Sequence, residues 1–260
     1  MQAAEINGIT LHYADNGSGA PLVFCNALGT DLRLWDGVVS RLPAGVRVLR
    51  HDRRGHGLSD APSGPYAMGT LVRDIEALLD HCGISAAVYV GCSLGGMVAQ
   101  GLAVKRPDLV RALVLSNTAA RIGTAAMWQE RVAAVQAGGV AALSEATLAR
   151  WFARPFRDGA QARLMRHMLE RTPAQGYAGC AAAIAGTDFY STTAGLRMPV
   201  LAIAGSEDGS TPPDLVRETA ALVPGSRFEL IRGAGHLPMV DHPDAYAAIL
   251  VAFLKEIGHV

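Results

Sequence analysis

The 260-residue sequence is short of several things, and each shortage removes a class of protein. Lysine occurs only at Lys105 and Lys255, and the 23 Lys+Arg residues are balanced by 23 Asp+Glu, so the formal net charge is zero. A neutral chain projects no long-range field toward nucleic acid or anionic membranes, and the expected partner is a small molecule. The four cysteines, Cys25, Cys82, Cys92 and Cys180, are scattered, with no CxxC pair and no histidine at zinc-ligand spacing. That argues against a metal site and a disulfide framework and for a reduced compartment. The opening residues Met1–Gly8 hold no basic region followed by an apolar stretch, and no segment approaches the roughly 20 uninterrupted apolar residues of a membrane span. The expected location is the cytoplasm, without membrane contact. Assembly into a homo-oligomer is left open.

What is present is half hydrophobic and strongly patterned. A chain of this length buries one large core, and a single unit carrying an insertion is expected. Asn7-Gly8 before Ile9–Tyr13 is a hairpin turn signal, so an antiparallel pair should open the fold. The runs Pro21–Cys25, Val46–Arg50, Ala87–Val90, Ala112–Leu115 and Pro199–Ala204 are short, apolar and rich in β-branched residues, as parallel strands covered on both faces should be. Between them, Leu71, Ile75, Leu78 and Leu79, then Met97, Val98, Gly101 and Leu102, then Tyr246, Ile249, Leu250 and Phe253 recur at helical spacing. Alternating strand and helix predicts an α/β class, a doubly wound and mostly parallel sheet. The alternation stops between 117 and 196, where only helices are expected: Trp128–Gln136, Val140–Phe152, Gln161–Glu170 and Tyr177–Ile184. Residues 1–116 and 197–260 are therefore read as the core and 117–196 as an inserted helical cap over the ligand-binding sheet edge.

After the strand run ending at Val90 comes Gly91-Cys92-Ser93-Leu94-Gly95, followed by a helical segment. This GxSxG pattern sits in the strand-turn-helix context that gives it meaning: the turn holds the serine strained, and a Cβ at either flanking glycine would collide with backbone. Ser93 is the expected nucleophile, with the Leu94 N–H and the helix dipole aimed at a developing oxyanion. Its partners follow in the order serine, acid, histidine, with Asp208 just past a buried strand and His236 after the strand run Phe228–Ile231. A neutral hydroxyl is a poor nucleophile, so His236 takes its proton, and Asp208 orients the imidazole. Glu207 competes for the acid role. The loop Phe24–Thr30 should supply the second oxyanion donor, for which the Leu28 N–H is the choice, while Asn26 holds the loop in shape through its side chain. The stretch His51–Gly57 is expected to form a packed turn beneath the site, with Arg54 paired to a buried carboxylate, and Cys92 to be a buried filler.

With those residues in place the chain resembles the α/β-hydrolase superfamily over its whole length. Within it, Asn26–Leu32 with Trp35, Asn117–Gly123, Arg150-Trp151-Phe152 and Gly176–Cys180 are similar to the 3-oxoadipate enol-lactonases of bacterial aromatic degradation. The resemblance implies cofactor-free and metal-free hydrolysis of the enol-lactone to 3-oxoadipate through an acyl-enzyme on Ser93. That substrate carries a carboxylate, so Arg121 or Arg150 from the cap is expected to bind it, and Trp128 and Trp151 to wall the pocket. Met239–Pro243 and Gly209–Pro213 fit the fold generally and do not separate a lactonase from a carboxylesterase, a carbon–carbon bond hydrolase or a cofactor-free haloperoxidase. A non-catalytic small-molecule binding protein on the same scaffold is the alternative of a different class.

Overall fold

The computed structural model describes residues 1–260. β1 (Gln2–Ile6) and β2 (Ile9–Gly17) pair antiparallel as the opening hairpin, turning through Asn7 and Gly8 at φ 49° and 76°. Both positive angles are what a two-residue primed turn requires. β3 (Ala20–Cys25), β4 (Val46–His51), β5 (Ala87–Cys92), β6 (Val110–Ser116), β7 (Val200–Gly205) and β8 (Arg227–Ile231) run parallel to one another, and β2 meets β4 antiparallel. The eight-stranded order is β1-β2-β4-β3-β5-β6-β7-β8. Every residue of β5 and β7 is buried, which explains why their sequences are continuously apolar instead of alternating.

That order decides where a ligand can sit. β3 lies between β4 and β5, so the chain winds one way after β3 and the other way after β5, and a crevice opens beyond the carboxyl ends of that pair. Cys25 is in register with Gly91, so the loop after β3 and the turn after β5 leave the sheet side by side. The core helices α1 (Asp36–Val39), α2 (Met68–Cys82) and α3 (Leu94–Lys105) follow β3, β4 and β5. α3 is buried on nearly every side; its one buried amide, Gln100, donates to the Gly96 and Ala119 carbonyls and accepts from Thr193 Oγ1 at 2.8 Å.

Between β6 and β7 the chain forms α4 (Ala125–Gly138), α5 (Ser144–Trp151), α6 (Ala160–Glu170), α7 (Ala174–Ala185) and α8 (Tyr190–Thr193), with no strand among them. The helix expected over 140–152 is split into a 3₁₀ turn at Val140–Leu143 and α5, entered from Gly139 at φ 70°. α9 (Pro213–Ala221), α10 (Pro238–Asp241) and α11 (Pro243–Glu256) complete the chain, α9 against β7 and β8, and α10 and α11 together with α1.

The helical segment is docked to the core backbone on backbone. A Cβ on Gly176 in α7 would stand 2.1 Å from the Gly55 carbonyl oxygen, and one on Gly64 would stand 2.9 Å from Gly179 Cα. Neither neighbour is a flexible side chain, so there is nothing to move aside. Gly176→Ala is expected to destabilise the protein by about 1–3 kcal/mol, the usual cost of overpacking. Urea melts check this, and a variant that unfolds at the wild-type midpoint would show that the contact is not close.

Candidate active site

The turn after β5 is built as its glycines demand. A Cβ on Gly91 would lie 2.5 Å from the Gly95 carbonyl oxygen, and one on Gly95 would lie 2.2 Å from that of Cys25. Released from those collisions, α3 starts directly from Ser93, whose backbone at φ 54° and ψ −119° is outside the regions an L-residue prefers. The Ser93 N–H is bonded to the Ser116 carbonyl at 3.0 Å, and its own carbonyl accepts from Thr118 Oγ1 at 2.6 Å, so the end of β6 and the loop after it hold the strained turn in place. Cys92 is buried and its thiol is pushed well above the usual range by that burial, consistent with an inert filler.

Asp208 and His236 come from the loops after β7 and β8 and meet with His236 Nδ1 2.8 Å from Asp208 Oδ2. A carboxylate only accepts, so Nδ1 carries the proton and Nε2 is left as the acceptor. Glu207 is exposed, with its side chain on Ser206, and does not reach the histidine. Four further donors hold the carboxylate: Thr211 Oγ1 and Asn117 Nδ2 each donate to Asp208 Oδ2 at 2.8 Å, and the Ser210 and Thr211 N–H groups donate to Oδ1 at 2.7 and 3.0 Å. Burial pushes this carboxyl up, but His236, Asn117 and the Thr211 N–H outweigh it and hold it below the ordinary range. Sequence reasoning did not single out Asn117 or Thr211 for this role. The available signals were an asparagine immediately after a buried strand, which here adopts φ 47°, and a threonine three residues beyond the acid.

The loop after β3 is fixed from below. Asn26 does hold its shape, donating from Nδ2 to the His51 carbonyl at 2.7 Å and accepting from Trp35 Nε1 at 2.9 Å. The Gly29 N–H donates to His56 Nε2 at 2.9 Å, which requires a neutral imidazole; burial, reinforced by Arg53, holds His56 down to about 3. Arg54 forms the expected pair with Asp74, including Nη2 to Oδ1 at 2.7 Å. With the loop so held, the Leu28 N–H has no intramolecular acceptor, and the Leu94 N–H, as the first residue of α3, has none within its helix.

Leu28, Ser93 and His236 share a cavity of about 360 Å³ closed by α4, α5 and α7. Ser93 Oγ is not hydrogen-bonded to His236 in this resting geometry, a contact that commonly tightens only when substrate fills the site. Trp128 and Trp151 line the cavity, with Tyr177 beside them. Trp151 also braces the site through its backbone: its carbonyl accepts the His236 N–H at 2.7 Å, and the Arg150 carbonyl accepts the Gly209 N–H at 3.0 Å. The last carbonyls of α5, which lack partners inside the helix, are thus satisfied by the loops carrying Asp208 and His236.

The cationic side of the cavity differs from expectation. Arg150 lines it, but Arg121 does not: its guanidinium is half exposed and lies 3.6 Å from Asp188. The second cation is Arg131, stacked 5.4 Å over the Trp128 ring. Arg131 Nη2 and Arg150 Nη2 converge on Thr147 Oγ1 at 3.3 and 3.2 Å. Both are partly buried and neither is in an ion pair, although Glu130 also borders the cavity.

A strained serine turn at a sheet switch point, with an aspartate–histidine pair beyond the ends of β7 and β8, defines a class, and the sequence agrees: residues 20–243 match the alpha/beta hydrolase fold family, to which this chain belongs. The chain is 33% identical to 3-oxoadipate enol-lactonase 2 of Acinetobacter baylyi over 96% of its own length and 95% of that protein's. Among solved structures it resembles the enol-lactonase of Burkholderia xenovorans LB400, with a TM-score of 0.94 and 35% identity over 98% of this chain and 100% of that one. It also resembles a thermophilic esterase of Thermogutta terrifontis solved with malate bound, with a TM-score of 0.94 and 26% identity over the full length of both chains. No helix is long and apolar enough to cross a membrane.

Proposed function

We propose that this protein hydrolyses a carboxylate-bearing lactone, 3-oxoadipate enol-lactone, to 3-oxoadipate in aromatic-compound catabolism, with residues 117–196 acting as a cap over the core. Ser93 Oγ attacks the ring carbonyl while His236 Nε2 takes its proton, and Asp208 stabilises the imidazolium. The Leu28 and Leu94 N–H groups receive the oxyanion. Collapse of the tetrahedral intermediate breaks the ring C–O bond, the leaving enol oxygen takes the proton from His236, and the enol tautomerises to the ketone. Water, deprotonated by His236, then attacks the acyl-enzyme and releases the diacid from Ser93.

The observation that carries the substrate class is the convergence of Arg131 and Arg150 on Thr147, without carboxylate partners, in the cavity that Ser93 and His236 line. Two guanidinium forks beside a hydroxyl suit a carboxylate, and a neutral ester leaves them without an anion. The deciding measurement is kcat/KM for 3-oxoadipate enol-lactone beside p-nitrophenyl acetate, with wild type and Ser93→Ala. A Ser93-dependent preference for the lactone, reaching about 10⁴ M⁻¹s⁻¹ or more, supports the reading; ester turnover without lactone turnover removes the pathway assignment.

A second expectation separates anion binding from chemistry. Arg150→Met and Arg131→Met should each raise KM for the lactone roughly tenfold or more, as loss of a charged hydrogen bond does, with p-nitrophenyl acetate hydrolysis unchanged. Equal losses on both substrates would mean that these arginines shape the cavity and do not read the carboxylate.

A further inference from the structure

Arg53 is buried, yet it takes part in none of the ion pairs of the structure. Its Nη2 donates to the Asn26 carbonyl, while Nε and Nη1 are buried without partners. No carboxylate bonds to it: the charge of Asp52, next in the chain, favours its cationic form, but that carboxylate is bonded to His12 Nδ1 and to the Leu32 and Leu58 N–H groups. The nearby Asp74 carboxylate is already held by Arg54 and by Asn7 Nδ2. Burial, reinforced by Arg53 itself, holds His51 down to about 3, and burial keeps the Cys25 and Cys180 thiols protonated, pushed up to about 12. A buried cation without an ion-pair partner costs stability, so its presence is not explained by folding.

Its position suggests what it does. The Asn26 carbonyl that Arg53 holds lies against the nucleophile turn, where a Cβ on Gly95 would come within 2.7 Å of it. The peptide one residue further on carries the Leu28 N–H. We propose that Arg53 is an electrostatic positioning residue: it locks the Asn26 peptide behind the oxyanion loop, and its unpaired charge favours the anionic tetrahedral state over the neutral ester. This rests on the Ser93 hydrolase reading, and it requires Arg53 to contribute to the transition state while contributing nothing to stability.

The test compares wild type, Arg53→Met and Arg53→Lys on a neutral p-nitrophenyl ester, with inhibition by a boronic acid that forms an anionic adduct on serine, and thermal melts. Arg53→Met should lower kcat roughly tenfold to a hundredfold and weaken the boronate by a similar factor, with KM little changed. Its melting temperature should be unchanged or higher, because a desolvated charge is replaced by an apolar chain of similar length. Arg53→Lys keeps the charge and should retain most of kcat. Wild-type kcat in Arg53→Met, or a loss accompanied by a much lower melting temperature and raised KM, would overturn the inference and make Arg53 a packing residue. Ser93→Ala run in parallel distinguishes the two failures. Turnover surviving in Ser93→Ala removes the serine mechanism and this proposal with it, whereas Ser93-dependent turnover that ignores Arg53 removes only the proposal.

Discussion

Ser93→Ala is expected to reduce turnover by about 10⁴-fold or more without loss of the fold, and Ser93→Gly should be equally inactive yet more stable than the wild type. The second half of that expectation follows from the backbone. Ser93 sits at φ 54° and ψ −119°, where a Cβ is unfavourable, and residues in such regions store on the order of 1–3 kcal/mol. Glycine removes the Cβ and most of that strain, although it also adds freedom to the unfolded chain, which takes back about 0.5–1 kcal/mol. The net is a modest rise in melting temperature in a dead enzyme, the signature of a site whose function is maintained against stability. Calorimetry of the three proteins decides it. A glycine variant that melts below the wild type would mean that Ser93 is not strained, and residual turnover in Ser93→Ala would move the nucleophile elsewhere.

Asp208→Asn should lose turnover by about 10³- to 10⁴-fold and, unlike Ser93→Gly, should also lose stability. Asp208 is surrounded by donors: His236 Nδ1, Asn117 Nδ2 and Thr211 Oγ1 at one oxygen, and two backbone N–H groups at the other. An asparagine must turn its NH₂ toward one set or the other, which opposes donor to donor and costs about 1–3 kcal/mol. The effect depends on pH with a definite sign. The Asp208 carboxyl is held below its ordinary range in the folded protein, so its stabilisation is present above the unfolded value of about 3.9 and disappears as pH falls through the folded value. Denaturant melts should therefore show the gap between wild type and Asp208→Asn narrowing on acidification below that unfolded value. A gap that is constant with pH would mean that the carboxylate is not preferentially stabilised as the anion.

Much of this architecture was legible before any coordinates. The strands are short apolar runs because parallel strands are buried on both faces, and that burial leaves a local trace in composition. The GxSxG turn was legible for a similar reason: its glycines are imposed by backbone collisions with residues within a few positions or on the adjoining strand. Asp208 and His236 followed from chain order and strand ends, and Arg54 from a buried charge needing a partner. The failures share the opposite property. The sequence points to Arg121 or Arg150, and the cavity takes Arg150 together with Arg131; α4, which carries Arg131, is rich in alanine and only weakly amphipathic, so its sequence does not say which face looks inward. The backbone contact of Gly55 with Gly176, the donation from Asn117 to Asp208 and the unpaired burial of Arg53 join segments distant in the chain, and no local pattern encodes them.

By itself, then, the sequence determined the α/β class, the strand-turn-helix that carries Ser93 and the place of Asp208 and His236 on loops at strand ends, since each is dictated by near-neighbour sterics or by the fixed geometry of strand ends. Only the tertiary structure decided which arginines face the cavity, how α5 braces the Asp208 and His236 loops through its terminal carbonyls, and that Arg53 lies buried without an ion-pair partner. Those depend on helix rotation and on contacts across the whole fold, where the energy of packing, and not local preference, selects the arrangement.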